Sequence, residues 1–204
     1  MQKPTNRASR AATKPKNAKS PKTTSQAPRV VPGGKWFHCI VNTYGAWLYG
    51  DPRGFRTRHH REHVDGDYKN PPPPGLYAKQ FARSVESLKQ PPVKLSKAWQ
   101  PIVGIAVRDK LEERGAFVVC VAVSAQHVHV LVKLPRGVKP RIMMGFAKKH
   151  AKFEVNDRGW EGKLWALRGR ELPVKDRKHQ LRVYRYILAH AREGAWVWQW
   201  NMKK

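Results

Sequence analysis

Acidic residues are scarce in this 204-residue sequence, which has 14 Asp and Glu against 41 Lys and Arg and a formal net charge of +27. A charge this large repels itself, and a polyanion is its usual compensation. DNA or RNA is therefore the first partner that the composition indicates, and a membrane surface is the second. Hydrophobic residues still make up 40% of the chain, which is enough for a packed core.

Cysteine and long apolar runs are also scarce. Cys39 and Cys120 are too far apart for a zinc knuckle and give no secreted disulfide framework. A membrane-spanning helix needs about 18 consecutive apolar residues, and no such run exists. The basic N-terminus lacks the apolar stretch of a secretory signal. We therefore expect a cytoplasmic, nucleoid-associated protein that does not enter a membrane.

Composition divides the chain into an arm and a domain. Residues 1–34 are rich in Lys, Arg, Pro, Ser and Thr without a hydrophobic period, which predicts a disordered basic arm. The arm could aid solubility, attract phosphates, or do both. Residues 35–204 are predicted to form one domain, interrupted by a basic, Gly/Pro-rich loop at 48–75.

The domain alternates strand and helix patterns. We predict strands from residue 35, at 116–124 and at 127–134, with a strand or a hairpin turning at Arg168-Gly169-Arg170 within 162–176. Helices are predicted near 78–88, and at 101–114, 139–154 and 179–194, with Asp176 capping and Gly194 ending the last. A final strand follows. The order predicts an α+β fold: a ferredoxin-like antiparallel sheet with helices on one face.

Two histidines interrupt the apolar strand in SAQHVHVLVKLP. Side chains alternate faces along a strand, so His127 and His129 share one face while the intervening valines share the other. Their Cα atoms lie roughly 6–7 Å apart, and two imidazoles so spaced can converge on one metal ion. Two hydrogen-bonded polar residues on a half-buried strand are the alternative. A metal site would need a third ligand from elsewhere.

The helix at 179–194 offers that third ligand. At about 100° per residue, Leu181, Tyr184, Ile187, Leu188 and Ala191 gather on one side, which we interpret as the core stripe. Tyr186 and His190 lie one turn apart on the opposite side. If this helix crosses the sheet near the histidine strand, His127, His129 and His190 form a three-nitrogen site with the Tyr186 hydroxyl beside it. An ordinary exposed aromatic is the alternative for Tyr186.

These motifs resemble a known family. HVHVLV resembles the HUH motif (His, bulky hydrophobic, His) of single-tyrosine transposases, and RYILAHAREGAWVW resembles the tyrosine helix of REP-associated tyrosine transposases. In such proteins a polar metal ligand follows the tyrosine by four residues, as His190 follows Tyr186. The usual sequence after the tyrosine is closer to Asn-Pro than to AHA. The resemblance covers roughly residues 35–200.

The resemblance implies an HUH endonuclease-type core that cuts and rejoins single-stranded or hairpin DNA. Tyr186 would be the nucleophile, forming a 5′-phosphotyrosine link and a free 3′-hydroxyl. His127, His129 and His190 would hold a divalent metal ion, Mg²⁺ or Mn²⁺. Nitrogen ligands favour the transition metal, so the ion stays open. A homodimer in which the tyrosine helix serves the partner's site is also compatible with the sequence.

Basic residues on the loop at 48–75, on the histidine strand and on the helix at 139–154 are candidate DNA contacts. They are Arg53, Arg56, Arg58, Arg61, Lys133, Arg141, Lys148, Lys149 and Lys152. His59, His60 and His63 form a rival metal cluster, but the adjacent arginines favour a phosphate-contacting loop. Trp165, Trp196, Trp198 and Trp200 either stack on unpaired bases or pack in the core.

The alternatives to a nuclease are two. A non-catalytic nucleic-acid-binding protein would use the same basic surface, and an RNA-binding, ribosome-associated protein would suit the sequence pI of 10.7. Tyr186 with its histidines is the feature that separates the nuclease from both.

Overall fold

The structure is a computed structural model that describes residues 31–55 and 70–200. The described residues fall into two compact units, one within Gly45–Pro92 and the other comprising 31–44 and 93–200. The predicted arm at 1–30 and most of the basic loop lie outside the described residues. The division into an arm and one domain therefore stays a prediction.

The described part of the smaller unit includes helix α1 (Ala78–Glu86), as its sequence predicts. Phe55 lies edge-on to Tyr49 and Tyr77, with ring centroids 5.0 Å and 4.7 Å away. The guanidinium of Arg53 forms a 2.6 Å ion pair with Asp51. Edge-on aromatic contacts and this ion pair thus help to stabilise the described part of the unit.

The larger unit is a five-stranded antiparallel sheet with strand order β4-β1-β3-β2-β5. Its elements are β1 (Lys35–Thr43), α2 (Trp99–Glu113), β2 (Phe117–Val123), β3 (His127–Leu134), α3 (Pro140–Asp157), β4 (Trp165–Pro173), α4 (Arg177–Ala189), a 3-10 turn (His190–Glu193) and β5 (Trp196–Gln199). The run β1-α2-β2-β3-α3-β4 has the ferredoxin-like order of elements. The predicted α+β class and antiparallel sheet are confirmed.

Both faces of the sheet are apolar, and this overturns one detail of the prediction. Helices α2 and α3 cover the face that presents Val128, Val130 and Val132. Helix α4 packs Val183 and Ile187 on the other face, against Cys120, Ala122 and Leu131. The helices were expected on one face. They lie on two because the second face also carries apolar side chains that need cover.

One element boundary and one element shape also differ from expectation. Helix α2 begins at Trp99 rather than at Pro101, because proline is tolerated within the first turn of a helix. Strand β4 runs unbroken through Gly169, so the hairpin alternative at 168–170 is wrong. Gly169 lies opposite Val41, where an added Cβ would meet the Ile40 carbonyl oxygen at 2.8 Å. Glycine therefore lets β4 approach β1 closely.

Three of the four tryptophans considered for base stacking contribute to the core. Trp165, Trp196 and Trp198 are partly buried against it. The Trp200 ring packs edge-on to Phe117 with centroids 5.3 Å apart.

Among the described residues, no helix combines the length and the apolar character that a membrane crossing requires.

Candidate metal centre and nucleophile

Strand β3 presents its two histidines on the sheet face covered by α4. His129 is 4% exposed, and its ring centroid lies 4.8 Å from that of the half-buried His127. The alternating valines bury the opposite face of β3 in the main core, as the sequence pattern predicts. The strand therefore fixes both imidazoles beside one another on a face that its own valines do not fill.

Helix α4 brings its C-terminal turn to these imidazoles. The side chain of Asp176 accepts a 2.7 Å hydrogen bond from the His179 N–H and so caps the start of the helix. The helix passes at His190 into a 3-10 turn that ends at Gly194, whose φ of 76° suits glycine. His190 stacks on His129 with ring centroids 4.6 Å apart and lies 5.4 Å from His127.

The buried side of α4 is rotated from the predicted stripe. Gln180, Val183, Ile187 and His190 are its buried residues, whereas Leu181 stays exposed. Tyr186 therefore lies at the margin of the buried side rather than opposite it, and its side chain is 48% exposed. The helical period shows which residues share a side, but the packing of His190 against the β3 histidines decides which side is buried.

The three predicted metal ligands meet. One ring nitrogen from each of His127, His129 and His190 lies within 4.8 Å of the others. The Nε2 atom of His190 is buried with no hydrogen-bond partner among the described residues. A buried polar atom left unsatisfied costs free energy, and a bound cation would satisfy it. Neutral imidazoles are good ligands for divalent transition metals, so the group fits such an ion.

Outer hydrogen bonds orient two of the three rings. His190 Nδ1 lies 3.1 Å from a carboxylate oxygen of Glu193, and His129 Nδ1 lies 3.0 Å from Nε2 of His38. Metal-binding histidines commonly use one ring nitrogen for the ion and the other for such a partner. Both contacts leave Nε2 as the nitrogen available to an ion.

His38 is a site residue that the sequence analysis missed. It lies on β1, 91 residues before His129 in the chain, and only the β1–β3 pairing brings the two together. Their rings stack with centroids 5.2 Å apart. Its place on an apolar strand, in the stretch KWFHCIVNT, is the only sequence signal, and it does not indicate a partner.

Burial favours the neutral forms of His129 and His38. Desolvation, followed by the neighbouring histidines, lowers the pKa of His129 to about 2. Desolvation also lowers the pKa of His38 to about 4, with smaller contributions from the charges of His179, His190 and Arg170. The His129 imidazole is therefore in the unprotonated form that a metal requires.

Tyr186 lies against the histidine cluster. Its ring centroid is 4.9 Å from that of His190, 5.4 Å from that of His129 and 5.9 Å from that of His38. Tyr184 differs: it is partly buried against the smaller core cluster, and its hydroxyl donates a 2.7 Å hydrogen bond to Oε1 of Gln199. Of the two tyrosines, Tyr186 is the one whose ring faces the imidazoles.

The candidate DNA contacts are scattered. Lys133 lies on β3 on the same face as the histidines, whereas α3, which carries Arg141, Lys148, Lys149 and Lys152, packs on the opposite face. The Lys148 ammonium donates to the Ala166 carbonyl oxygen at 2.8 Å, and that of Lys152 donates to Asn156.

The remaining candidate contacts come from the basic loop at 48–75. The Arg53 guanidinium is bound by Asp51. The other predicted contacts of the basic loop, Arg56, Arg58 and Arg61, lie outside the described residues, as does the rival cluster His59, His60 and His63. Arg170 and His179 were not predicted, yet their charges act on His38. Arg170 adds positive charge beside the cluster.

The described chain is thus an α+β protein with a three-histidine cluster beside a partly exposed tyrosine. A solved structure of a REP-associated tyrosine transposase bound to a REP hairpin is similar to it, with a TM-score of 0.47, 14% sequence identity, and alignment over 83% of this chain and 74% of that one. No protein-family model matches the chain, and no curated protein matches its sequence.

Proposed function

We propose that this protein is a metal-dependent single-stranded DNA endonuclease and strand transferase of the transposase type, with Tyr186 as its nucleophile. The observation that carries the proposal is the position of the Tyr186 ring, whose centroid is 4.9 Å from that of His190 within a cluster of three mutually close imidazoles. A tyrosine with only a packing role would not require three close imidazoles beside it.

In the proposed reaction, the Tyr186 oxygen attacks a phosphodiester phosphorus. The new bond is Tyr–O–P, the bond to the 3′-oxygen breaks, the phenol loses its proton, and the departing 3′-oxygen gains one. Reversal rejoins a strand without any external energy source. A phenol with an ordinary pKa of about 10 is a weak nucleophile at neutral pH, so the reaction depends on activation.

His127, His129 and His190 would hold the divalent ion, Mn²⁺ or Mg²⁺. When bound, the ion supplies polarisation of the phosphate and stabilisation of charge on the leaving oxygen. Burial favours the neutral form of His129 by lowering its pKa, and helix α4 and strand β3 position the three rings. The 48% exposure of Tyr186 leaves its ring accessible to a DNA strand.

Positive charge supports a DNA substrate. Arg170 lies beside the cluster, Lys133 lies farther along β3 on the same sheet face, and the chain as a whole carries +27. The motif resemblance suggests folded hairpin DNA as the preferred substrate and a cytoplasmic, nucleoid-associated location. The basic residues of α3 would contact a more distant part of the DNA, since that helix covers the other sheet face.

The test is covalent capture on labelled hairpin and single-stranded DNA with Mn²⁺. The unaltered protein should form a DNA adduct that survives denaturing electrophoresis. Tyr186→Phe should form none, whereas Tyr184→Phe, which loses only its bond to Gln199, should form the adduct at close to the normal level.

Adduct formation by Tyr186→Phe would show that the nucleophile is another residue. If even the unaltered protein forms no adduct while still binding the DNA, the non-catalytic binding function is the correct one.

A further inference from the structure

The hydrogen bond between His38 and His129 has a direction that metal binding would fix. A neutral imidazole has one donor nitrogen and one acceptor nitrogen. If His129 binds an ion through Nε2, its proton must reside on Nδ1, which lies 3.0 Å from the Nε2 atom of His38. His129 then donates and His38 accepts.

The opposite direction would disable the ligand. If His38 donated its Nε2–H, His129 Nδ1 would be the acceptor and its Nε2 would carry the proton. A protonated Nε2 cannot bind a cation. When His38 accepts this hydrogen bond, it favours the Nδ1–H tautomer of His129, and a side chain without an acceptor would lose that control.

We propose that His38 is a positioning residue that holds His129 in its Nδ1–H tautomer and turns its Nε2 toward His127 and His190. This inference rests on the proposed metal site. His38 suits the role because it is itself buried, stacked on the His129 ring with an interplanar angle of 30°, and fixed on a strand in the middle of the sheet. The His38 ring also lies edge-on to the Tyr186 ring, with centroids 5.9 Å apart.

Ordinary core packing is the rival explanation for His38. Two substitutions, one that keeps the ring volume and one that keeps the acceptor, distinguish packing from positioning. His38→Phe keeps a ring of similar size but removes the acceptor. His38→Gln loses the ring but places an amide oxygen about where Nε2 lies. Packing alone predicts that Phe is the better substitute, whereas positioning predicts that Gln is. His150, which is partly buried on α3 on the other sheet face, offers a matched control as His150→Ala.

Two measurements on the full-length protein test the inference. The first is Mn²⁺ affinity by calorimetric titration. His38→Phe should weaken binding about 10–100-fold, as losses of such supporting partners do, and His38→Gln should recover most of it. His150→Ala should bind like the unaltered protein. The second is the ¹⁵N NMR signature of the His129 ring without metal, which should show Nδ1–H in the unaltered protein and in His38→Gln.

The outcomes separate the two proposals. If the unaltered protein binds Mn²⁺ and His38→Phe binds it within twofold, the positioning role is wrong and the metal site stands. A His129 ring protonated on Nε2 in the unaltered protein would also overturn the role. If the unaltered protein binds no Mn²⁺, the metal site fails, and the positioning role fails with it. A His38→Phe variant that does not fold, judged by circular dichroism, leaves His38→Gln and the NMR tautomer to decide.

Discussion

Acid should destabilise this protein through its buried histidines. An unfolded histidine gains a proton as the pH falls below its ordinary pKa of 6.5, whereas folded His38 and His129 hold pKa values of about 4 and about 2. Below pH 6.5 the unfolded state therefore binds more protons, and the free energy of unfolding falls. Above that pH the contribution of these two residues is fully present.

The magnitude follows from the size of the pH step. At pH 5, about 1.5 units below the ordinary pKa, each of these two buried imidazoles lowers the free energy of unfolding by about 2 kcal/mol relative to pH 8. His38 and His129 together would cost about 4 kcal/mol, a large part of the 5–15 kcal/mol typical of a folded domain. Other groups also titrate, so the two residues must be isolated by substitution.

The assay is guanidinium chloride unfolding, followed by tryptophan fluorescence, at pH 8 and pH 5 with EDTA present. The double variant His38→Gln/His129→Gln removes both titrating rings. Its loss of unfolding free energy between the two pH values should be smaller than that of the unaltered protein by about 4 kcal/mol. An equal loss in both proteins would refute the assignment of buried, neutral imidazoles.

Two further predictions concern packing and are measured by chemical unfolding. Ile187→Ala should lower the free energy of unfolding by about 2–5 kcal/mol, because the Ile187 side chain of α4 is fully buried against the sheet. As a control, Leu167→Ala, at a side chain that is 88% exposed, should change it by less than about 0.5 kcal/mol. Gly104→Ala should destabilise by about 1–2 kcal/mol, because its Cβ would lie within 3 Å of the Trp196 ring and overpacking exceeds the gain in helix propensity. Gly145→Ala on α3, where a Cβ meets nothing within 4 Å, should instead stabilise by up to about 1 kcal/mol; if both glycine variants respond alike, the close contact with Trp196 is not what matters.

Local patterns in the sequence predicted much of the site. Alternation along β3 placed His127 and His129 together on one face, and the spacing of Tyr186 and His190 placed them one turn apart. The cap at Asp176 and the stop at Gly194 bracket α4 and its 3-10 turn as predicted. These features depend on neighbours within a few residues, which is why the sequence reveals them.

Features that depend on distant parts of the chain were not predictable. His38 joins the cluster through the register of β1 on β3, which no local pattern encodes. The helix prediction placed Leu181 on the core side and His190 on the opposite side, whereas Leu181 is exposed and His190 is buried. Burial of His190 follows from its contact with His129, so the hydrophobicity of α4 alone misleads about its orientation.

The segments that supply the histidines of the cluster are far apart in the sequence, so the proposed metal site would form only in the native state. His38, the β3 pair and His190 come from three segments, and an unfolded polypeptide holds them far apart. An ion that binds only the native form shifts the folding equilibrium by mass action, adding about 2.7 kcal/mol at a hundred times its dissociation constant. With the proposed metal site, the supply of metal would set how much of the protein survives heat or proteases, and it would also govern the proposed reaction with DNA.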